Sequence, residues 1–359
     1  MTRAVLFNLF AISIFLIGAG LYVRYLESEP LPPSQPQEQL SAAGVSVGAT
    51  STAPVATSSV AAATTTVQAT ASPTGVVRKS NNKAIPSTST TTEVARVQDP
   101  YSTPPESFAQ INTDARAALV NILCEPQGGS SLNPISGSGV IIDPRGVILT
   151  NAHVAQYVLL SESPRVNLTC FVRTGSPATA EWSAAVLYIP PIWVSQHVSE
   201  ILDQHPTGTG EHDYALLYIT GSVNGAQLPP TFPSLPVDTR PAIGFPGDQV
   251  LVASYPAELI GGIAAQYDLY ADTSVTTIKQ LLTFGSGTPD VVSLGGVIEA
   301  QSGSSGGAVI NMWGRLIAIV ATTSGGTTTA DRDLRGVALS YINTDLTAQS
   351  GVSLGVLLQ

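Results

Sequence analysis

The apolar positions of this chain fall into three regimes. From Ala4 to Val23 they are almost continuous, with Asn8 and Ser13 as the clearly polar interruptions. About 20 residues at roughly 1.5 Å each match a hydrocarbon core of about 30 Å, so the pattern predicts a transmembrane helix over residues 1–25. A cleaved signal peptide has a shorter apolar core followed by a small-x-small site. Here Gly18, Ala19 and Gly20 lie inside the run and Tyr22-Val23-Arg24-Tyr25 follows, which favours an uncleaved anchor. Arg3 and the amino terminus on one side, with Glu27 and Glu29 on the other, predict that the bulk of the chain is translocated. The expectation is a single-pass membrane protein with its mass on the extracytoplasmic side.

The second regime, residues 26–105, is Pro, Ser, Thr, Ala, Val and Gln, with no Phe, Tyr or Trp between Tyr25 and Tyr101. Without large side chains it cannot bury enough surface to offset its ordering entropy, so it reads as a disordered stalk. A coil of about 75 residues reaches on the order of 50 Å.

The third regime begins near Phe108. Ile111 to Leu119 reads as a short helix. Short β-type runs follow at Leu119–Cys124, Gly139–Ile142, Val147–Thr150, Val166–Val172, Ala185–Ile189 and Ala215–Ile219. A Pro-rich connection, Leu228 to Pro241, precedes further runs at Gln249–Ser254, Tyr267–Tyr270, Ile278–Thr283, Gly296–Glu299, Ala308–Ile310, Leu316–Ala321 and Gly336–Leu339. Many short strands at this spacing make an all-β barrel or sandwich, and a linker midway suggests two small barrels, about 115–225 and 240–345.

Composition narrows the partners. Charged residues are 11% of the 359 and the net charge is −10, which disfavours nucleic acid and anionic lipid as ligands. The two cysteines, Cys124 and Cys170, make neither a disulfide-dense scaffold nor a metal pattern, so no metal or cofactor is expected.

Candidate chemistry centres on Gln301-Ser302-Gly303-Ser304-Ser305-Gly306-Gly307. Such a run packs poorly, and glycines are wanted where backbone N–H groups converge on a small target, as in an oxyanion hole. Ser305 is then a candidate nucleophile; the bland reading is a Gly/Ser loop. A serine nucleophile needs a base, and His153 follows the apolar run Val147–Thr150 directly. His197, His205 and His212 sit in a polar stretch and read as solvated loop histidines; His205, Glu211, His212 and Asp213 match no zinc spacing. Asp213, at the lip of the apolar run Tyr214–Ile219, is a candidate orienting acid, since an unpaired acid there is costly.

The segments Ser136–Ile142, Val147–Val154, Asp213–Leu217 and Gly303–Ala308 together resemble the trypsin-like (chymotrypsin-fold) serine proteases, most of all the HtrA/Deg branch. The resemblance runs from about Leu119 to Leu346. It implies two six-stranded Greek-key barrels, a protease domain over 106–359, and a cleft between barrels. It also implies catalytic roles for Ser305, His153 and Asp213, and oxyanion donors at the Gly303 and Ser305 N–H groups. Ser304 stands where digestive trypsins carry the aspartate that receives a freed amino terminus, so ordering of the site is expected from loops or a partner. Too few residues follow Asn343 for the PDZ domain that Deg-type enzymes usually add. Counting back, Glu299 and Ala300 fall near the base of the primary specificity pocket, with Ala321, Thr322 and Thr323 along its wall. A carboxylate there would favour Lys or Arg side chains, although Val297–Ala300 also alternates like a strand that turns Glu299 to solvent. In the implied barrel the first and fourth strands are neighbours, so a Cys124–Cys170 bridge is feasible beside the alternative of two buried thiols. Asn167-Leu168-Thr169 matches a glycosylation sequon.

The resulting expectation is a membrane-tethered serine endopeptidase acting on proteins or peptides, with no prediction of oligomeric state. The competing readings are a catalytically silent binding module on the same fold and a signalling protease with one membrane-protein substrate.

Overall fold

A computed structural model describes residues 100–359 apart from 129–131, 203–207, 242, 260–261, 286, 298, 324–327 and 329–330. The chain divides into two units, Met1–Asn82 and Lys83–Gln359, and the first lies outside the described residues. The expected anchor, the stalk up to residue 99 and His205 lie outside them too. Among the described residues no helix is long and apolar enough to cross a membrane.

Helix α1, Phe108–Ala118, starts at Ser107, whose hydroxyl accepts from the Gln110 N–H at 3.3 Å, a side-chain N-cap. Its buried Ile111, Ala115 and Ala118 share one face, as spacings of four and three residues require. The chain then turns extended at Leu119 into the first barrel.

That barrel has strands β1 (Leu119–Pro126), β2 (Ile135–Asp143), β3 (Val147–Thr150), β4 (Leu168–Thr174), β5 (Thr179–Tyr188) and β6 (Ala215–Ser222). They close antiparallel in the order β1-β2-β3-β6-β5-β4, with β4 returning to β1. The β2–β3 turn holds Gly146 at φ 91° while Asp143 accepts from the Arg145 N–H at 2.7 Å, the chemistry expected of Asp-Pro-Arg-Gly. Between β3 and β4 runs helix α2 (Ala152–Ser161), and between β5 and β6 runs α3 (Pro191–His197).

The second sheet has seven strands: β7 (Gln249–Ser254), β8 (Asp272–Thr277), β9 (Gln280–Leu282), β10 (Val291–Gly295), β11 (Ala308–Asn311), β12 (Leu316–Thr323) and β13 (Leu334–Ala338). Their order is β8-β7-β11-β12-β13-β10-β9, so the expected second six-stranded barrel is instead a seven-stranded sheet with β8 and β9 at its edges. Gly295, at φ 74°, coincides with a register shift against β13. Single bonds still tie β8 and the link after it to β10: Thr276 Oγ1 donates to the Leu294 carbonyl at 3.3 Å and the Lys279 N–H to that of Ser293 at 2.7 Å.

Three strand expectations here give way. Tyr267–Tyr270 is the end of helix α4 (Gly262–Tyr267) and the loop after it, with both tyrosine side chains exposed. Short apolar runs carry no periodicity that separates helix from strand. Among the described residues Gly296, Val297 and Glu299 lie outside any strand, the strand being the β-branched run Val291–Gly295. Leu339 opens helix α5 (Leu339–Ser350), which a short helix α6 (Leu354–Leu357) follows.

Within this unit the Pro-rich connection straps one sheet to the other. The Leu235 N–H donates to the Ile141 carbonyl and the Leu316 N–H to that of Pro236, each at 2.9 Å. Ordered contacts also begin upstream of residue 106. Tyr101 bonds Asp238 and accepts from Asn311 Nδ2 at 2.9 Å, with the Arg240 and Arg315 guanidiniums about its ring at 4.9 and 5.0 Å. Tyr101 is the first aromatic side chain after Tyr25, so this is where the chain first has enough surface to bury.

Candidate active site

Register brings His153 to Asp213 across 60 positions of sequence. Strand β3 pairs β6 with Thr150 opposite Ala215, so the residues after one strand meet those before the other. Asn151 ends β3 extended and opens α2, leaving the first-turn N–H of His153 without a helical acceptor. That N–H donates to Asp213 Oδ1 at 2.9 Å, and the ring Nδ1–H donates to Oδ2 at 2.7 Å. Asn151 Nδ2 donates to the Asp213 carbonyl at 2.8 Å. The Asp213 side chain is 8% exposed and that of His153 29%. Burial alone pushes the imidazole pKa down, but the charge and hydrogen bond of Asp213 outweigh it and leave the value raised.

The serine loop is sewn to the same strand ends. The Ser138 N–H on β2 donates to the Ser305 carbonyl at 2.7 Å, and Ser138 Oγ donates to the Gly303 carbonyl at 2.8 Å. Thr150 Oγ1, three residues before His153, donates to the Ser138 carbonyl at 2.7 Å. A Cβ on Gly306 would lie 2.0 Å from the Ser138 oxygen and 2.5 Å from Thr150 Oγ1. One on Gly303, at φ 96°, would meet the Ala257 N at 2.6 Å. The glycines therefore permit close backbone approach. Among the described residues neither the Gly303 nor the Ser305 N–H has a backbone acceptor.

The family model for the trypsin-like peptidase domain matches residues 137–319, just over half of the chain. The chain belongs to the trypsin-like peptidase family. No curated protein matches it. The closed barrel and the second curled sheet fit the chymotrypsin-like architecture of a serine-protease-type hydrolase.

Ser304 of this peptidase is buried and accepts from Ser254 Oγ at 3.0 Å, so no charge sits beside the serine loop at that position. Two other groups hold the loop. The Ser302 N–H donates to Glu258 Oε2 at 2.9 Å and the Glu258 N–H to the Ser302 carbonyl at 3.1 Å. Arg332 reaches the same carboxylate at 3.3 Å and donates to the Ala300 carbonyl at 2.9 Å. The Ser302 N–H, then Arg332, hold the Glu258 carboxyl below its ordinary range.

Glu299 does not face solvent: it is fully buried in a turn, with Oε2 accepting from Ser274 Oγ at 2.6 Å and Oε1 without a hydrogen-bond partner among the described residues. Burial first, with the charge of Asp272 adding, pushes its carboxyl up to about 7. Ala300 and Ala321 are buried, while Thr322 and Thr323 continue β12 opposite Arg335 and Leu334. Cys124 and Cys170 lie directly opposite on β1 and β4 and are joined by a disulfide, with Cα atoms 4.0 Å apart.

Two histidines differ from the solvated-loop expectation. His197 stacks on Trp193 with ring centroids 4.6 Å apart. His212 is 15% exposed and bonded to Asp345 of α5. Sequence reasoning passed over Ser138, Asn151, Glu258, Arg332 and Asp345. The one local signal was for Ser138, a polar residue between Gly137 and Gly139 at the entry to the apolar run Val140–Ile142; the others act across distances that no spacing encodes.

Proposed function

We propose that this peptidase is a membrane-tethered serine endopeptidase that hydrolyses extracytoplasmic proteins or peptides through Ser305, His153 and Asp213. The observation that carries the reading is the His153–Asp213 pair, whose carboxylate gives both oxygens to one histidine, while Ser138 bonds both the Ser305 loop and Thr150, three residues before His153. In the mechanism, His153 Nε2 takes the proton from Ser305 Oγ as that oxygen attacks the scissile carbonyl. The tetrahedral oxyanion accepts from the Gly303 and Ser305 N–H groups. His153 then returns the proton to the leaving amine, and water repeats the sequence on the acyl-enzyme. Asp213 holds the tautomer with Nε2 free and stabilises the imidazolium. No cofactor enters these steps.

The apolar run Ala4–Val23 supports the tether, and a disulfide agrees with an oxidising compartment. The test is covalent labelling of the full chain by a fluorophosphonate, expected for wild type and lost in Ser305→Ala. Absence of labelling in folded wild type would instead support the silent binding module. Extraction of the chain from membranes by detergent but not by alkaline carbonate tests the anchor.

A further inference from the structure

Asp213 stands between His212 and Tyr214, and both flanking side chains end on one carboxylate of helix α5. His212 Nδ1 lies 3.0 Å from Asp345 Oδ2, and Tyr214 OH donates to the same oxygen at 2.9 Å. Gln349, one turn further along α5, donates to it at 2.6 Å. Tyr341, one turn earlier, accepts from the His212 N–H at 3.3 Å. Three donors on one oxygen make Asp345 the hub of a cluster with side chains from α5 and from both sides of Asp213. Glu211 is the other charged group at His212, with its carboxylate 3.8 Å from Nε2.

The backbone shows what this cluster does. His212 has φ 57°, alone among the described non-glycine residues in being left-handed. That conformation is strained for an L-residue with a side chain, so the surroundings must over-determine it. The bend is closed by the Tyr214 N–H donating to the His212 carbonyl at 3.0 Å. Its consequence is that Asp213 meets His153 while the residues on either side of it meet Asp345.

We infer that Asp345 is a positioning residue for Asp213: helix α5 grips both neighbours of the acid and so sets its aim at His153. The inference rests on the proposed roles of Ser305, His153 and Asp213. Among the described residues the side-chain hydrogen bonds of His153 run to Asp213 and not to α5, so in this scheme Asp345 acts through the 212–214 bend.

Asp345→Asn keeps the shape and removes the charge that the three donors share. The expected result is a kcat lower by about 10- to 100-fold, the range for a misplacement on the order of 1 Å, with KM nearly unchanged. The decisive readout is the titration of His153 by NMR of histidine-labelled protein, which needs no turnover. Its pKa should fall towards the ordinary histidine value in the variant, because a displaced Asp213 stabilises the imidazolium less. A lower melting temperature with an unchanged His153 titration would make Asp345 merely structural and overturn the inference. If Asp345→Asn does not fold, Tyr214→Phe decides: a smaller drop in the same direction supports the inference, and no drop overturns it. Failure of wild type to label with a fluorophosphonate defeats the peptidase reading separately, whatever His153 does.

Discussion

The backbone N–H of Ser138 donates to the carbonyl of Ser305 at 2.7 Å, joining the first barrel to the loop of the candidate nucleophile. The Ser138 hydroxyl adds two bonds, donating to the Gly303 carbonyl at 2.8 Å and accepting from the Tyr255 N–H at 2.9 Å. Ser138 is fully buried, so Ser138→Ala leaves both groups without their partner. Each orphaned buried group costs about 1–3 kcal/mol. The variant should melt at lower temperature and lose kcat more than it raises KM, read by calorimetry and peptide hydrolysis. Wild-type kcat in a folded variant would remove Ser138 from the site.

The His153 pKa is raised, and the mechanism requires His153 neutral. Activity is therefore lost as pH falls through a value above the ordinary 6.5 or so. Asp213→Asn should cut kcat by about four orders of magnitude by favouring the wrong tautomer. A pH–rate profile of kcat/KM checks the limb, which should lie lower in any variant that weakens the pair. For folding the sign is the same as for any histidine with a raised value. The stabilisation is complete below the ordinary pKa and lost as pH rises through the folded one.

Glu258 and Arg332 hold the serine loop, in which Ser304 carries no charge. Arg332→Ala should lower kcat by about tenfold, a fraction of the cost of losing a whole oxyanion donor. Arg332→Lys, which keeps the charge but not the fork, should fall between. Because the pair is partly exposed, about 1 M salt should mimic part of the loss in wild type and little in Arg332→Ala. Slower fluorophosphonate labelling at equal protein folding would report the same defect.

Burial pushes the Glu299 carboxyl up to about 7 in the folded chain, above its unfolded range. The folded state then binds the proton more tightly, so this group's contribution to stability declines as pH rises from about 4.5 to about 7. Glu299→Gln should remove that decline and stabilise the protein above pH 7 by an amount on the order of 3 kcal/mol. Denaturant melts at pH 5 and pH 8 check it. If Glu299 floors the specificity pocket, cleavage after Lys or Arg should also gain on cleavage after Ala as pH passes 7. A flat ratio would remove it from that role.

Much of this protein is legible along the chain because its signals are local. The Asp-Pro-Arg-Gly turn, the runs Val147–Thr150 and Gln249–Ser254, and the glycines around Ser305 each state a backbone requirement within a few residues. The order His153, Asp213, Ser305 could be written down from such blocks, and the 137–319 family match covers all three. Tertiary structure alone decided the rest. Whether Glu299 faced solvent, whether His212 was a loop residue, and whether the second set of strands closed depended on contacts between segments distant in sequence. Ser274 reaches Glu299 from 25 residues away, and Asp345 reaches His212 from 133. A residue type and its near neighbours limit what a side chain can do; the partner it finds after folding decides which of those things it does.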